Sequence, residues 1–332
     1  MNKRILSIAI AIITISLNAQ DQHFTQFYAN PTYLNPAFAG HTAQSRLALN
    51  YRNQWPSIPG AFVSYNFSYE QYVRELKSGF AIMGSRDQAG SGALSDNQLG
   101  LLYSYEIRIQ RDLYLRPGIQ FSQVFRNVNY NRLVFGDQLI TSNNSTVEIF
   151  PDRNTSYLDV GAGAMLFGRY FWIGVAAHHI NRPDESLLGM DESLLPIKYS
   201  AHGGYRIPTN RRVGSRTASA VVYAFNYKMQ NEFDQLDLGF YYEFNPMVFG
   251  VWYRGLPFVK SNESELINQD AIAIMIGYEF NDIKFGYSYD LTISPLLANS
   301  GGAHEISLIY EFANPRNRKY AKRKRVIPCA KF

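Results

Sequence analysis

From Arg46 to Phe312 the chain alternates, residue by residue, between large apolar side chains and small or polar ones. A period of two belongs to the β-strand and not to the helix, so this stretch can be little other than sheet. The last hairpin shows the pattern plainly. Ile283, Phe285, Tyr287, Tyr289 and Leu291 share one face, and Lys284, Gly286, Ser288 and Asp290 share the other. After a turn containing Pro, Asn, Ser and Gly, Ile306, Leu308, Tyr310 and Phe312 oppose Glu305, Ser307 and Glu311. The same alternation runs through Leu47 to Tyr51, Val63 to Tyr69, Leu99 to Ile107 and Leu113 to Phe121. Counted with strands near 79–85, 156–167, 170–180, 197–207, 218–229, 234–244, 247–254 and 270–280, it predicts about fourteen strands.

What the apolar face meets decides the fold class. A soluble sandwich would carry a polar face dense in charge, whereas this one is rich in Gly, Ala and Ser. The apolar face is almost free of charge, as expected if it meets lipid, where a Lys or Arg at the midplane costs about 2 to 4 kcal/mol. A propeller would show a repeat period, and none is present. Connections also alternate in length. Links at 167–169, 245–246 and 281–282 are short, those near 126–154, 181–195, 255–269 and 292–302 are long, and the links near 230–233 and 208–215 break the rule. The expectation is an all-β, transmembrane antiparallel outer-membrane β-barrel with long surface loops, short periplasmic turns and both termini periplasmic.

The ends of the chain differ from its body. Lys3 and Arg4 precede an apolar run from Ile5 to Leu17 that ends in Asn18-Ala19, which predicts a cleaved secretory signal peptide over 1–19. Residues 20–44 hold two Asn-Pro turns and no sustained period, and read as an ordered periplasmic or plug segment ahead of a barrel over 45–312. Residues 313–332 form a basic tail with eight Lys or Arg and no acid. Without signal and tail the body holds 22 basic against 27 acidic residues, so the high isoelectric point belongs to the tail and argues for no nucleic-acid partner. The single Cys329 excludes an internal disulfide.

Candidate chemistry is sparse. No metal-ligand spacing, phosphate loop or nucleophile elbow occurs, and neither enzyme activity nor a cofactor is expected. His178 and His179, adjacent on a strand, are expected to point to opposite faces. His202, Asp290, His304 and Glu305 lie near strand ends, with Asp290 and the His304-Glu305 pair expected to brace the last surface loop. Inward glycines (Gly161, Gly163, Gly174, Gly204, Gly239, Gly250, Gly277, Gly286) either give the barrel its curvature or leave space for a plug.

Several segments, taken as an ordered set, resemble the PorP/SprF family of type IX secretion outer-membrane proteins of Bacteroidota. They are TQFYANPTYLNPAFAG, YRNQW, VAAHHINRPDESL, KYSAHGGYRI, GYSYDLTIS and GGAHEISLIYEF. The resemblance implies a non-enzymatic accessory barrel. Such a barrel assists export or surface retention of a client with a type IX C-terminal signal, such as a gliding-motility adhesin, and associates with periplasmic secretion and motility machinery. Asn35, Pro36, His179, Pro183, Asp290, His304 and Glu305 are the candidates for rim bracing or partner binding. In the tail, Arg316, Arg318, Lys322, Arg323, Lys324, Arg325, Cys329 and Phe332 are the candidates for a periplasmic partner or for anionic lipid. A passive diffusion or uptake channel and, more weakly, an outer-membrane hydrolase are the alternatives.

Overall fold

A computed structural model describes residues 21–42, 44–58, 60–90, 94–135, 137–138, 154–187, 193–209, 219–231, 233–255, 271–293, 301–312 and 327–329. Residues 1–19, where a signal peptide is expected, and the basic stretch of the tail lie outside these residues.

The alternating segments form strands β1 (Arg46–Gln54), β2 (Phe62–Val73), β3 (Ser78–Ala89), β4 (Leu94–Tyr105), β5 (Ile107–Gln110), β6 (Leu113–Val128), β7 (Thr155–Phe167) and β8 (Phe171–His178). They continue with β9 (Lys198–Pro208), β10 (Ser219–Gln230), β11 (Phe233–Phe244), β12 (Met247–Gly255), β13 (Ala271–Phe280), β14 (Ile283–Thr292) and β15 (Ala303–Glu311). Every pairing is antiparallel between sequence neighbours, and β1 pairs with β15 from Arg46 opposite Glu311 to Gln54 opposite Ala303. Because β4 and β5 are one strand interrupted at Glu106 and both pair with β6, the ring is a closed barrel of 14 strands. Closure removes the sheet edges that would otherwise present unpaired backbone groups to lipid.

The outward face is a continuous apolar surface, with Leu99, Leu101, Ile173, Val175, Ile274 and Phe285 exposed. Large aromatic residues lie on both faces. Tyr65, Tyr103, Tyr242 and Tyr278 are outward, but Trp172 is buried against the lumen, one step out of phase with outward Phe171 and Ile173.

The lumen is filled. Phe24 to Thr42 is buried almost throughout and includes the one-turn helix α1 (Pro31–Leu34) and a 3-10 turn at Pro36–Phe38. Phe27 and Tyr28 set their rings edge-on against Trp252 and Trp172, with centroids 5.1 and 5.5 Å apart. Each such side chain, moved out of water, contributes about 1.5 to 3 kcal/mol. Of the two readings of the inward glycines, space is what the packing supports. A Cβ at Gly163 would lie 2.2 Å from Asn35 Oδ1, and one at Gly118 2.4 Å from the Ala37 nitrogen.

Candidate functional site

The N-terminal segment threads the barrel from end to end. Asp21 lies beside Lys198 and Gln230, the first residue of β9 and the last of β10, at the end that carries the long loops. His41 lies on Glu70 near the close of β2, at the opposite, short-turn end, from which the chain enters β1. The barrel strands thus start and finish at the short-turn end, and the described part of the segment ahead of them begins at the other end.

Two groups of buried charges hold the segment. Near the long-loop end, Glu305 accepts the backbone N–H groups of Thr25 at 2.7 Å and Gln26 at 3.1 Å. The Thr25 hydroxyl donates to Asp290 at 2.7 Å and accepts from Arg52 and Arg254, each at 2.8 Å. Arg52 and Arg254 also pair with Asp290 at 2.9 and 3.0 Å. Near the short-turn end Arg46 pairs with Glu70 at 3.0 Å and donates to the Ala29 carbonyl at 2.8 Å. Charges so deep are tolerable because each is paired and hydrogen-bonded.

Asp290 and Glu305 therefore hold the plug, while residues 294–300 of the last loop, which they were expected to brace, lie outside the described residues. His304, between them in the alternation, turns outward and meets the Tyr287 hydroxyl at 2.8 Å. His202 lies elsewhere, 3.0 Å from Asn35 and stacked on Phe38. These four residues do not converge, so a nucleophile–base–carboxylate arrangement does not form among them. Asn35 caps the 3-10 turn, accepting from Ala37 N at 2.9 Å, and donates to the Val175 carbonyl at 3.0 Å. Pro36 opens that turn, buried against the wall at Gly118. Pro183 is buried, and its carbonyl accepts from Leu195 at 2.9 Å across the β8–β9 connection.

His178 and His179 do not point to opposite faces. The strand ends at His178, and His179 takes φ 59°, a left-handed conformation that turns its ring inward as well. Its Nδ1 lies 2.9 Å from Asp159 and its Nε2 2.8 Å from Asp21. Burial opposes the imidazolium, but Asp21 and Asp159 more than offset it and raise the pKa to about 9. Burial likewise opposes the Asp21 carboxylate, while Lys198 and His179 hold it well below its usual range. With the histidine pKa raised on folding, this clasp is fully present below the free value near 6.5 and is lost as pH rises through about 9. Thermal unfolding of the purified barrel should thus show a lower midpoint at pH 10 than at pH 6. His179→Ala should lower the pH 6 midpoint and flatten that part of the difference; an unchanged pH difference in the variant would refute the clasp.

Above the plug, at the long-loop end, lies a cavity of about 560 Å³ floored by Gln22, His23 and Tyr33 and walled by β3, β4, β6 and β7. At the short-turn end the chain returns to the lumen. Ile327 and Cys329 are buried in the cluster that contains Tyr28 and Tyr241. Burial pushes the Cys329 thiol up to about 12, so it is not the reactive thiolate at neutral pH. Among the described residues no group of three or more His, Cys, Asp or Glu is placed to hold a metal ion. The other candidate residues of the tail, Arg316 to Arg325 and Phe332, lie outside the described residues.

The anchors of the plug and the inward turn of His179 had no reading from strand periodicity, whereas the plug itself was signalled by the aperiodic segment 20–44 and by the inward glycines. The one signal for the anchors was that charged residues such as Arg52, Asp290 and Glu305 stand on a face otherwise rich in Gly, Ser and Ala.

The chain is similar to several solved structures. The CymD monoaromatic hydrocarbon channel is 12% identical with a TM-score of 0.45, over 86% of this chain and 93% of its own. A Pseudomonas aeruginosa FadL homologue is 12% identical at 0.45, over 84% and 93%. The P. putida toluene transporter TodX is 8% identical at 0.46, over 84% and 93%. No curated protein sequence matches the chain. The family model described as type IX secretion system membrane protein PorP/SprF matches residues 16–310. With that span matched, and a closed 14-stranded barrel formed within it, the chain belongs to the PorP/SprF family of type IX secretion system membrane proteins.

Proposed function

We propose that this barrel is a non-enzymatic accessory of type IX secretion that engages a client protein at its long-loop end and the periplasmic machinery at its short-turn end. The observation that carries this reading is the filled lumen. Among the described residues, Phe24 to Thr42 occupy the lumen and are held by the Thr25, Asp290 and Glu305 contacts, which stands against passage of a polypeptide or a solute through the centre of the barrel. Its work is then done by its two ends. The same observation weighs against a diffusion channel, and the separation of His202, Asp290 and His304 weighs against a hydrolase. The client is read as a protein with a type IX C-terminal signal, such as an adhesin, and the basic tail as the contact with an acidic periplasmic partner. Changing Arg316, Arg318, Lys322, Arg323, Lys324 and Arg325 together to glutamine should leave the barrel heat-modifiable on gels and reduce surface display of its client at least severalfold. Normal display from that variant would remove the tail from the reading, and normal display from a strain lacking the whole gene would remove the reading itself.

A further inference from the structure

The cavity at the long-loop end carries an imbalance of charge and hydrogen bonding that the fold does not itself satisfy. Across β2, β3, β4 and β6, Ser64, Asp87, Asp96 and Arg126 occupy one rung, each opposite the next in the ladder. Two carboxylates, Asp87 and Asp96, thus face each other directly, a pairing that repels. Arg126 is committed elsewhere: it grips Asp96 at 2.7 and 2.8 Å and reaches Glu185 at 2.7 Å. Asp87 accepts the Ser64 hydroxyl, and no cation is paired with it among the described residues. Three carboxylates on this wall share one guanidinium.

The opposite wall is balanced, with Asp21 and Asp159 matched by Lys198 and His179. Deeper in the cavity Gln120 is 2% exposed, and its Oε1 has no hydrogen-bond partner. The Oε1 of Gln22, on the floor, is also buried without one. A native interior rarely leaves such acceptors empty, because each forfeits the hydrogen bond it made to water. Arg52 and Arg254 also line the cavity but are committed to Asp290, Glu305 and Asp237. Arg52 Nε and His23 Nε2 are buried without a partner as well. The charge left unpaired is the Asp87 carboxylate, and its complement, with the two amide oxygens, is a cation rich in donors. The side chains of lysine, with three N–H donors, and arginine, with five, fit that description. About 560 Å³ also falls in the range of sites that enclose small ligands, enough for a short peptide segment.

We infer that this cavity is a binding site for a lysine- or arginine-bearing segment of the client polypeptide, with Asp87 as its charge partner and the Gln120 and Gln22 carbonyls as further acceptors. The inference rests on the client-handling reading above and adds to it the chemistry by which the client is recognised.

The test uses the full-length mature barrel in detergent micelles with two fluorescent probes, a tetralysine and a tetraglutamate peptide, followed by anisotropy. Tetralysine is expected to bind, to weaken as salt is raised to about 0.5 M, and to weaken about tenfold or more in Asp87→Asn. Tetraglutamate is expected not to bind. The substitution keeps an acceptor for Ser64 and removes a like-charge contact, so the variant should remain folded. If it does not, the contrast between the two peptides on the wild-type barrel decides. Equal binding of both peptides, or full tetralysine affinity in a folded Asp87→Asn, would overturn the proposal. Tighter binding of spermidine than of tetralysine would also overturn it, assigning the site to polyamines. In cells, unchanged client display from a variant that has lost tetralysine binding would overturn the client assignment. Failure of the broader reading is seen separately, as unchanged display when the whole gene is absent.

Discussion

Replacing Asp290 by alanine is expected to release the N-terminal segment while the strands stay closed. The carboxylate bonds Arg52, Arg254 and the Thr25 hydroxyl at once, each within 3.0 Å. Removing it leaves Arg52 with Glu305 and Arg254 with Asp237 as their carboxylate partners. Breaking a buried pair in this way costs about 3 to 5 kcal/mol, because the surviving charge keeps its desolvation penalty without its partner. The strand ladder does not pass through these side chains, so the loss falls on the plug. In planar bilayers the wild-type barrel should stay closed and Asp290→Ala should show stepwise openings. Asp290→Asn, which keeps the hydrogen-bonding shape without the charge, should lie between them. A closed, thermally unchanged Asp290→Ala barrel would mean that the plug is held by something else.

Gly118→Val attacks the same segment by volume. A Cβ at this position would lie 2.4 to 2.6 Å from the backbone of Pro36 and Ala37, which cannot swing aside as a flexible side chain can. Overpacking of a fitted interior costs about 1 to 3 kcal/mol, and more where backbone must move. The expected result is a barrel that still folds, with its plug out of place, open in bilayers and cleaved near Phe38 by added protease. Gly84→Val is the control, since its Cβ would meet nothing nearer than the Gln98 carbonyl at 3.8 Å. Equal behaviour of the two variants would show that the close fit at Gly118 is not what seats the segment.

The barrel itself was legible because one physical rule, lipid on one side and packed interior on the other, acts on every strand in turn. It fails locally where the backbone leaves that rule. At Glu106 the strand breaks into β4 and β5, and past His178 a left-handed residue turns His179 inward. The plug was only partly legible. Its anchor at Thr25 bonds positions more than 250 residues away, Asp290 and Glu305, and no local spacing encodes such a pairing. What the alternation did carry was the set of charged residues on the inward face. Their hold on the plug was not legible, because a period of two tells which face a carboxylate is on and not how deep, or against what.

The anchor of the plug also bears on how such a barrel comes together. Arg52 belongs to β1 and Glu305 to β15, the first and last strands, whose mutual pairing closes the ring. Thr25 touches both residues, and Gln26 bonds Glu305 and Ser307 of β15. The segment synthesised just before the first strand therefore spans the joint that only the last strand can complete. A cylinder zipped without it would leave Arg52, Asp290 and Glu305 facing a hollow, while one zipped around it finds a ready-made guide at the seam. Seating the plug and sealing the wall therefore draw on the same residues, Arg52 and Glu305.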